Sequence, residues 1–366
     1  MKVQKIRFSD QRISWIVLDD DLLPIKPIAA FLRYLDNLEC SHNTLRAYAN
    51  HLKHFWEYLK QSQKTWDAVQ LDSLAEFISW LRVIPSSVIP LHGQESKRME
   101  STINAMLTAI GSFYQFHELL GNTTLQLTRS GTTAYRRYKP LLHHISKSKP
   151  TKNRLIKLKE PKHLPKTLSH EQVERLFQSC NSLRDQFLIA LLYESGMRIG
   201  QALGLHHVDI KSWDNEIHIE PRTNNINGMR AKTRSPYVIH VTAELMHLYA
   251  EYLIKECQDV TNDYVFIQTR GIHVGKPLNY PAVRDLFNRL SKKIGVRVTP
   301  HMLRHTHATA LLRDGWDCTY IQKRLGHASV QTTLNTYTHL NNEDLKQAFK
   351  KYEKTKKEIN YVARSK

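Results

Sequence analysis

Between residues 136 and 166 the chain carries eleven Lys and Arg, among them Lys149, Lys152, Arg154 and Lys157, against a single acid, Glu160. So dense a positive charge cannot be taken out of water without partners. The stretch therefore reads as a long irregular connection between two folded domains, a linker or a functional segment. Its net +10 is about half of the formal +19 of the 366 residues. That balance predicts an extended polyanion as partner, and spaced cations suit the phosphate repeat of a duplex better than a packed core. A merely solvated tether is the bland alternative.

Other features narrow the class. The densest apolar run, Phe187 to Tyr193, falls short of the ~18 residues of a membrane span, so no membrane is expected. The opening MKVQKIRFSDQR lacks the apolar stretch of a signal peptide. Cysteines at 40, 180, 257 and 318 form no CxxC pair, as expected of reduced thiols in a cytoplasmic protein.

Hydrophobic periodicity gives the organisation. Residues 1–25 read as an N-terminal extension, 26–120 as a helical domain, 121–167 as a basic linker and 168–366 as a second domain. In the helical domain Leu45, Tyr48, Leu52, Phe55, Trp56 and Leu59 recur at helical spacing, as do Ile103, Met106, Leu107, Ile110, Phe113 and Tyr114. Leu71, Leu74, Phe77, Ile78 and Leu81 mark a shorter helix between them, and Asn43 is the expected cap of the first stripe. The second domain is expected to be mainly helical, with helices near 169–179, 183–194, 242–258, 281–293, 300–314, 317–325 and 329–336. Gly196 should end the second of these. Short β-prone runs at Glu216–Glu220, Tyr237–Val241 and Tyr264–Ile267 predict a small antiparallel sheet.

Chemistry concentrates late in the chain. Thr299 and Pro300 make a good N-cap and first helical position for HMLRHTHATALLRDG. On that helix His301, Arg304, His305 and Ala308 share one face, and Leu303, Ala310 and Leu311 another, so a polar row is expected to face away from an apolar one. Two His at i and i+4 can hold zinc, but Arg304 within the row would oppose a dication, and no acid follows His301 as an HExxH site requires. An anion fits better, and neither a metal nor another cofactor is expected.

Gly196-Met197-Arg198, Lys232 in a β-prone turn, His301-x-x-Arg304-His305, Leu325-Gly326-His327 and Tyr337 follow one another in this order. The combination resembles the tyrosine recombinase (phage integrase) family. The likeness covers about 168–350 closely and 26–118 more loosely, where SHNTLRAYANHL is similar to the family's core-binding (SAM-like) domain. It implies a C-shaped clamp on double-stranded DNA, with Arg198 and Arg304 on the scissile phosphate, His327 adding a hydrogen bond, Tyr337 as nucleophile, His301 as general base and Lys232 as general acid. A guanidinium is permanently charged and presents a planar fork to two oxygens. Ionising a tyrosine at pH 7 costs roughly 4 kcal/mol, which nearby arginines would reduce.

The resemblance further implies a 3′-phosphotyrosyl intermediate that conserves the bond without ATP, and a homo-tetramer acting on two duplexes, with accessory recombination proteins as further partners. Asn43, Thr44, Arg46, Lys149, Lys152, Arg154, Lys157 and His305 are the expected DNA contacts, and nucleoid association would follow from DNA binding. Members commonly carry a carboxylate three residues after the first Arg, where this chain has Gln201, so neutral hydrogen bonds are expected to replace it. The length and the basic segment suggest a transposon-encoded member. An amphipathic helix is expected over 341–353, docking either on its own domain or on a neighbouring protomer.

Two rivals account for less. IQKRLGHASVQTTLNTY also reads as a helix-turn-helix of a non-catalytic regulator, which leaves Arg198, His301 and Arg304 without a purpose. A type IB topoisomerase would share the Tyr and the arginines but not the His301-x-x-Arg304 box in so compact a chain. If the basic stretch lies on phosphates, DNA affinity will fall steeply with salt. Replacing Lys152, Arg154 and Lys157 with Glu will then flatten the log–log salt slope by about 0.9 for each phosphate no longer neutralised, measured by DNA titration at several ionic strengths; an unchanged slope would favour the tether.

Overall fold

The computed structural model describes residues 1–7, 13–82, 98–123, 125, 127–131, 151–154, 156–161, 166–222, 225–231, 233, 235–258 and 262–326. The chain divides into two compact units, Met1–Lys162 and His163–Lys366. The helices expected over 329–336 and 341–353 lie outside the described residues.

The first unit opens with an antiparallel hairpin, β1 (Lys2–Arg7) and β2 (Ile13–Leu18), paired from Lys2 opposite Leu18 to Arg7 opposite Ile13. Four helices follow: α1 (Lys26–Asn37), α2 (His42–Gln61), α3 (Leu71–Arg82) and α4 (Glu100–Leu119). The hairpin is no loose appendage, because Val17 and Ile25 belong to the same buried cluster as the helices. The apolar stripes turn inward as their spacing predicts, with Leu45, Leu52, Phe55 and Leu59 of α2 meeting Ile103, Ile110, Phe113 and Tyr114 of α4. Phe113 anchors an aromatic cluster, standing edge-on to Phe31, Trp56 and Tyr114 with ring centroids 5.7, 5.3 and 5.3 Å away.

The cap of α2 is Ser41, not Asn43. Ser41 has extended backbone and its Oγ accepts from the Thr44 N–H at 3.2 Å, whereas Asn43 already lies inside the first turn. Beyond α4, β3 (Thr128–Gly131) pairs antiparallel with β4 (Thr151–Arg154). Part of the basic segment therefore has regular backbone. The chain then returns to α4, where buried Asn104 takes the Leu158 N–H on its Oδ1 and gives its Nδ2 to the Leu158 carbonyl, both at 2.9 Å. Ile156 and Leu158 pack on the unit's core while Lys157 between them is exposed.

The second unit contains α5 (His170–Gln178), α6 (Leu183–Ser195) and the single turn α7 (Ile199–Ala202). A three-stranded antiparallel sheet follows, in the order β5 (Ile210–Lys211), β6 (Glu216–Ile219), β7 (Tyr237–His240). Helices α8 (Ala243–Glu256), α9 (Tyr280–Ile294), α10 (Pro300–Arg313) and α11 (Cys318–Leu325) complete the described part. The expected strand Tyr264–Ile267 does not join this sheet. It makes only isolated bridges, His206 to Tyr264 and Ile267 to Pro277, and its place is taken by β5. Val265 and Phe266 are fully buried, so the apolar run reflects a core-crossing segment and not a ladder strand.

Helix α6 is the axis of this unit. It buries Phe187, Leu188, Ile189, Leu191 and Leu192 around its circumference, as a central helix must. Its free amides are satisfied at the start, where Glu256 accepts from the Leu183 and Arg184 N–H groups at 2.8 and 3.1 Å. In the first unit, Phe113→Ala will cost about 3–5 kcal/mol through lost burial and the cavity left behind, read as a lowered urea midpoint with an unchanged slope.

Candidate active site

Helix α6 stops at Gly196, whose φ of +64° is the left-handed conformation that glycine adopts without penalty. Space demands glycine too, since a Cβ there would lie 2.5 Å from His307 Cδ2 and 2.8 Å from Leu325 Cδ2. The end of α6 is thus pressed against α10 and α11. Arg198, two residues on, is the N-cap of α7. Its backbone N–H is taken by Gln201 Oε1 at 2.8 Å, and its Nη1 reaches the Gly326 carbonyl at 3.2 Å.

On α10, Thr299 caps the helix through the Met302 N–H at 3.3 Å and Pro300 occupies the first turn, as expected. The predicted polar row is corrected. Arg304 is only 2% exposed and Ala308 packs on Ile321 and Leu325, so the row is buried there as Leu303 is on the other side, and only His301 at its start is exposed. Arg304 donates Nη1 to the Gly196 carbonyl at 2.7 Å and Nη2 to the Leu325 carbonyl at 2.9 Å. Those carbonyls end α6 and α11, where helices leave oxygens without intrahelical partners and carry partial negative charge.

Arg198 and Arg304 therefore insert into neighbouring carbonyls, Gly326 and Leu325, of one turn. A carbonyl orients a guanidinium and satisfies its N–H groups but does not cancel its charge. His301 lies at the mouth of this region with one edge in solvent. Partial burial, then Arg304, then Arg198, hold its pKa below the usual imidazole value, so it is neutral at pH 7. Its ring meets His305 at 4.3 Å between centroids. Among the described residues no third His, Cys, Asp or Glu gathers with this pair. An open cleft of about 310 Å³ is bordered by Arg198, Arg230, Tyr280, His301 and Arg304.

The structure thus unites Arg198, His301, Arg304 and His305. Lys232, His327, Tyr337 and Lys149 lie outside the described residues, and Lys152 and Arg154 are described as backbone of β4 alone. In the first unit Asn43 and Arg46 are exposed on the first turns of α2, with Arg46 5.3 Å from the centroid of the Trp15 ring, and Thr44 shares a hydrogen bond with Ser41. Gln201 makes the neutral hydrogen bonds expected of it, the second being Nε2 to Tyr237 Oη at 2.9 Å.

Sequence reasoning passed over two residues of this region, Tyr237 and Arg324. Arg324 donates to the Glu194 and His240 carbonyls, both at 3.0 Å, and to His307 Nε2 at 3.1 Å, tying α6, β7 and α10 together. Its position immediately before Leu325-Gly326 was the available signal.

These histidines make stability depend on pH. Burial, then Arg324 and Arg304, push His307 down to about 3, and burial, then His301 and Arg304, push His305 down to about 4. An unfolded chain binds these protons near 6.5 and the folded one resists them, so stability is complete above about pH 6.5 and declines as pH falls towards 3. His307 alone will contribute a slope of up to about 1.4 kcal/mol per pH unit. His307→Gln will flatten the decline in urea midpoint between pH 7 and 4.

Comparison with known proteins agrees with this geometry. Residues 166–344 match the Phage integrase family, and residues 28–119 match the phage integrase N-terminal SAM-like domain. The chain is 41% identical over 356 residues to transposase A from transposon Tn554 of Staphylococcus aureus, covering 96% of this chain and 98% of that protein. It is 29% identical over 310 residues to tyrosine recombinase XerD of Halalkalibacterium halodurans, covering 82% and 88%. In fold it is similar to the Tn1549 transposon integrase solved with a circular intermediate DNA, at TM-score 0.62 and 18% identity over 89% of this chain and 98% of that one. The XerH recombinase bound to its difH substrate gives 0.58 at 20% identity, over 85% and 80%. With a carbonyl-held arginine pair at the heart of its second unit, the chain belongs to the phage integrase family of tyrosine recombinases, site-specific enzymes that transfer DNA strands.

Proposed function

We propose that Arg198 and Arg304 hold the scissile phosphodiester and that Tyr337 attacks it. The observation that carries this reading is the seating of both guanidiniums on consecutive carbonyls, Leu325 and Gly326, although the two arginines are over a hundred residues apart in sequence. So placed, their charge supports the non-bridging oxygens as negative charge accumulates on them in the transition state. The Tyr337 oxygen forms the bond to phosphorus while the bond to the 5′-oxygen breaks. His301, neutral at pH 7, accepts the phenolic proton, and Lys232 supplies one to the departing 5′-oxygen. His327 adds a hydrogen bond to the phosphate. The resulting 3′-phosphotyrosyl ester keeps the bond energy, so a 5′-hydroxyl from another strand reseals it by the reverse steps without ATP.

Residues 26–120 would then serve as core-binding domain and 168–366 as catalytic domain, with 121–167 on the phosphates between them. The relative from Tn554 is a transposase, and the Tn1549 protein was solved on a circular intermediate. Their names support movement of a mobile element as the biological role. Strand exchange between two duplexes needs four cleavages, which supports a homo-tetramer on DNA, assisted by accessory proteins, in the cytoplasm at the nucleoid.

A nicked suicide substrate that traps the covalent intermediate tests the chemistry. Incubated in EDTA, the protein will form a DNA adduct that disappears in Tyr337→Phe, and Arg198→Lys will slow its formation by about 100-fold or more. An adduct that persists in Tyr337→Phe would refute the nucleophile.

A further inference from the structure

Assigning the two arginines to phosphate leaves one half-buried side chain beside them without a task, that of Tyr237 at the start of β7. Its partner on one side is Gln201. Because the Arg198 backbone N–H can only donate, the Gln201 oxygen must face it, and the amide NH₂ is turned to the Tyr237 oxygen at 2.9 Å. On the other side the phenol lies against Gly326 so closely that a Cβ there would be 2.7 Å from Oη and 2.8 Å from Cζ. The Gly326 carbonyl in turn receives Arg198 Nη1 at 3.2 Å. The contacts close on themselves, running from Arg198 backbone to Gln201, Tyr237, Gly326 and back to the Arg198 guanidinium. Leu325, next in the same turn, holds Arg304.

We propose that Tyr237 is a positioning residue for strand transfer, fixing the Leu325-Gly326 turn against Arg198 through its hydrogen bond to Gln201 and so aligning both guanidiniums on the phosphate. The proposal rests on the assignment of Arg198 and Arg304 to the scissile phosphate and adds the group that sets their mutual geometry. Burial chiefly raises the Tyr237 pKa, outweighing the opposing influence of Gln201, Arg304 and Arg198, so the phenol stays protonated in the working range. A neutral hydroxyl can accept from an amide or donate to a carboxylate. Tyr237 therefore suits Gln201 as well as it would suit the carboxylate that the family resemblance implies at this position: the phenol accepts from the one and would donate to the other.

Single-turnover adduct formation by the full chain on the suicide substrate tests this, with DNA affinity and thermal midpoint measured alongside. Tyr237→Phe keeps the ring against Gly326 and leaves the Gln201 amide unanswered. The rate will fall by about tenfold with DNA affinity unchanged. Gln201→Ala also leaves the Arg198 N–H without its acceptor and will fall further than Tyr237→Phe, and the double variant will be little slower than Gln201→Ala alone, because the bond between the two side chains is already lost there. Gln201→Glu, which leaves the ring packing untouched, will slow by only about threefold when Tyr237 can donate to it. Combined with Tyr237→Phe it will fall by about 100-fold or more, as a buried carboxylate loses its donor.

A Tyr237→Phe enzyme at full rate, additive losses in the double variant, or equal losses in Gln201→Glu and Gln201→Ala would overturn the proposal. If Arg198→Lys and Tyr337→Phe also left the rate intact, the phosphate site itself would be misassigned. If those two collapse and Tyr237→Phe does not, only the role of Tyr237 fails.

Discussion

The described part of the second unit centres on one costly act, the enclosure of the Arg304 guanidinium at 2% exposure. A buried cation is tolerable only when its N–H groups are satisfied and negative potential surrounds it. Two helix ends supply both. The Gly196 carbonyl closes α6 and the Leu325 carbonyl closes α11, so the negative poles of two helices converge on the same side chain. The geometry forbids a side chain at the junction, which is why α6 ends in glycine and why His307 and Leu325 can approach it so closely. Arg324 does for the outer edge what Arg304 does inside, joining Glu194, His240 and His307. Helices distant in sequence are locked together through arginines bonded to backbone.

Much of this was legible in the sequence, and the reason differs from place to place. The stripes of α2 and α4 were read correctly because an amphipathic helix with one buried face writes its period plainly. Helix α10 misled for the opposite reason. Its polar residues share a face, yet at Arg304 that face is enclosed by α6 and α11, and periodicity cannot tell a solvent-facing arginine from one that meets the end of another helix. The segment Tyr264–Ile267 has β-prone composition but satisfies its backbone through scattered bridges and turns. The cap at Ser41 was missed by two positions, since Ser, His and Asn stand together there and only backbone angles choose among them.

The site shows the same division. Arg198, His301 and Arg304 were identifiable because their order and residue types match a recognised chemistry, and the fold gathers them. Tyr237 and Arg324 carried no such mark. Their importance lies in contacts with backbone atoms and with Gln201, and backbone partners leave no trace in residue identity. Gln201 departs from a pattern visible in the sequence, but its partners, the Arg198 N–H and Tyr237 Oη, are set by the fold alone.

The reliance on main-chain oxygen has a further consequence. Carboxylate partners gain protons as the medium acidifies and release the cations they neutralised, whereas an amide oxygen has no comparable equilibrium in water. The hold that Gly196, Leu325 and Gly326 exert on the two guanidiniums is therefore indifferent to acidity. The arginines act as a constant voltage source, and the proton sensitivity of the centre enters through imidazole, phenol and the ammonium proposed as its acid.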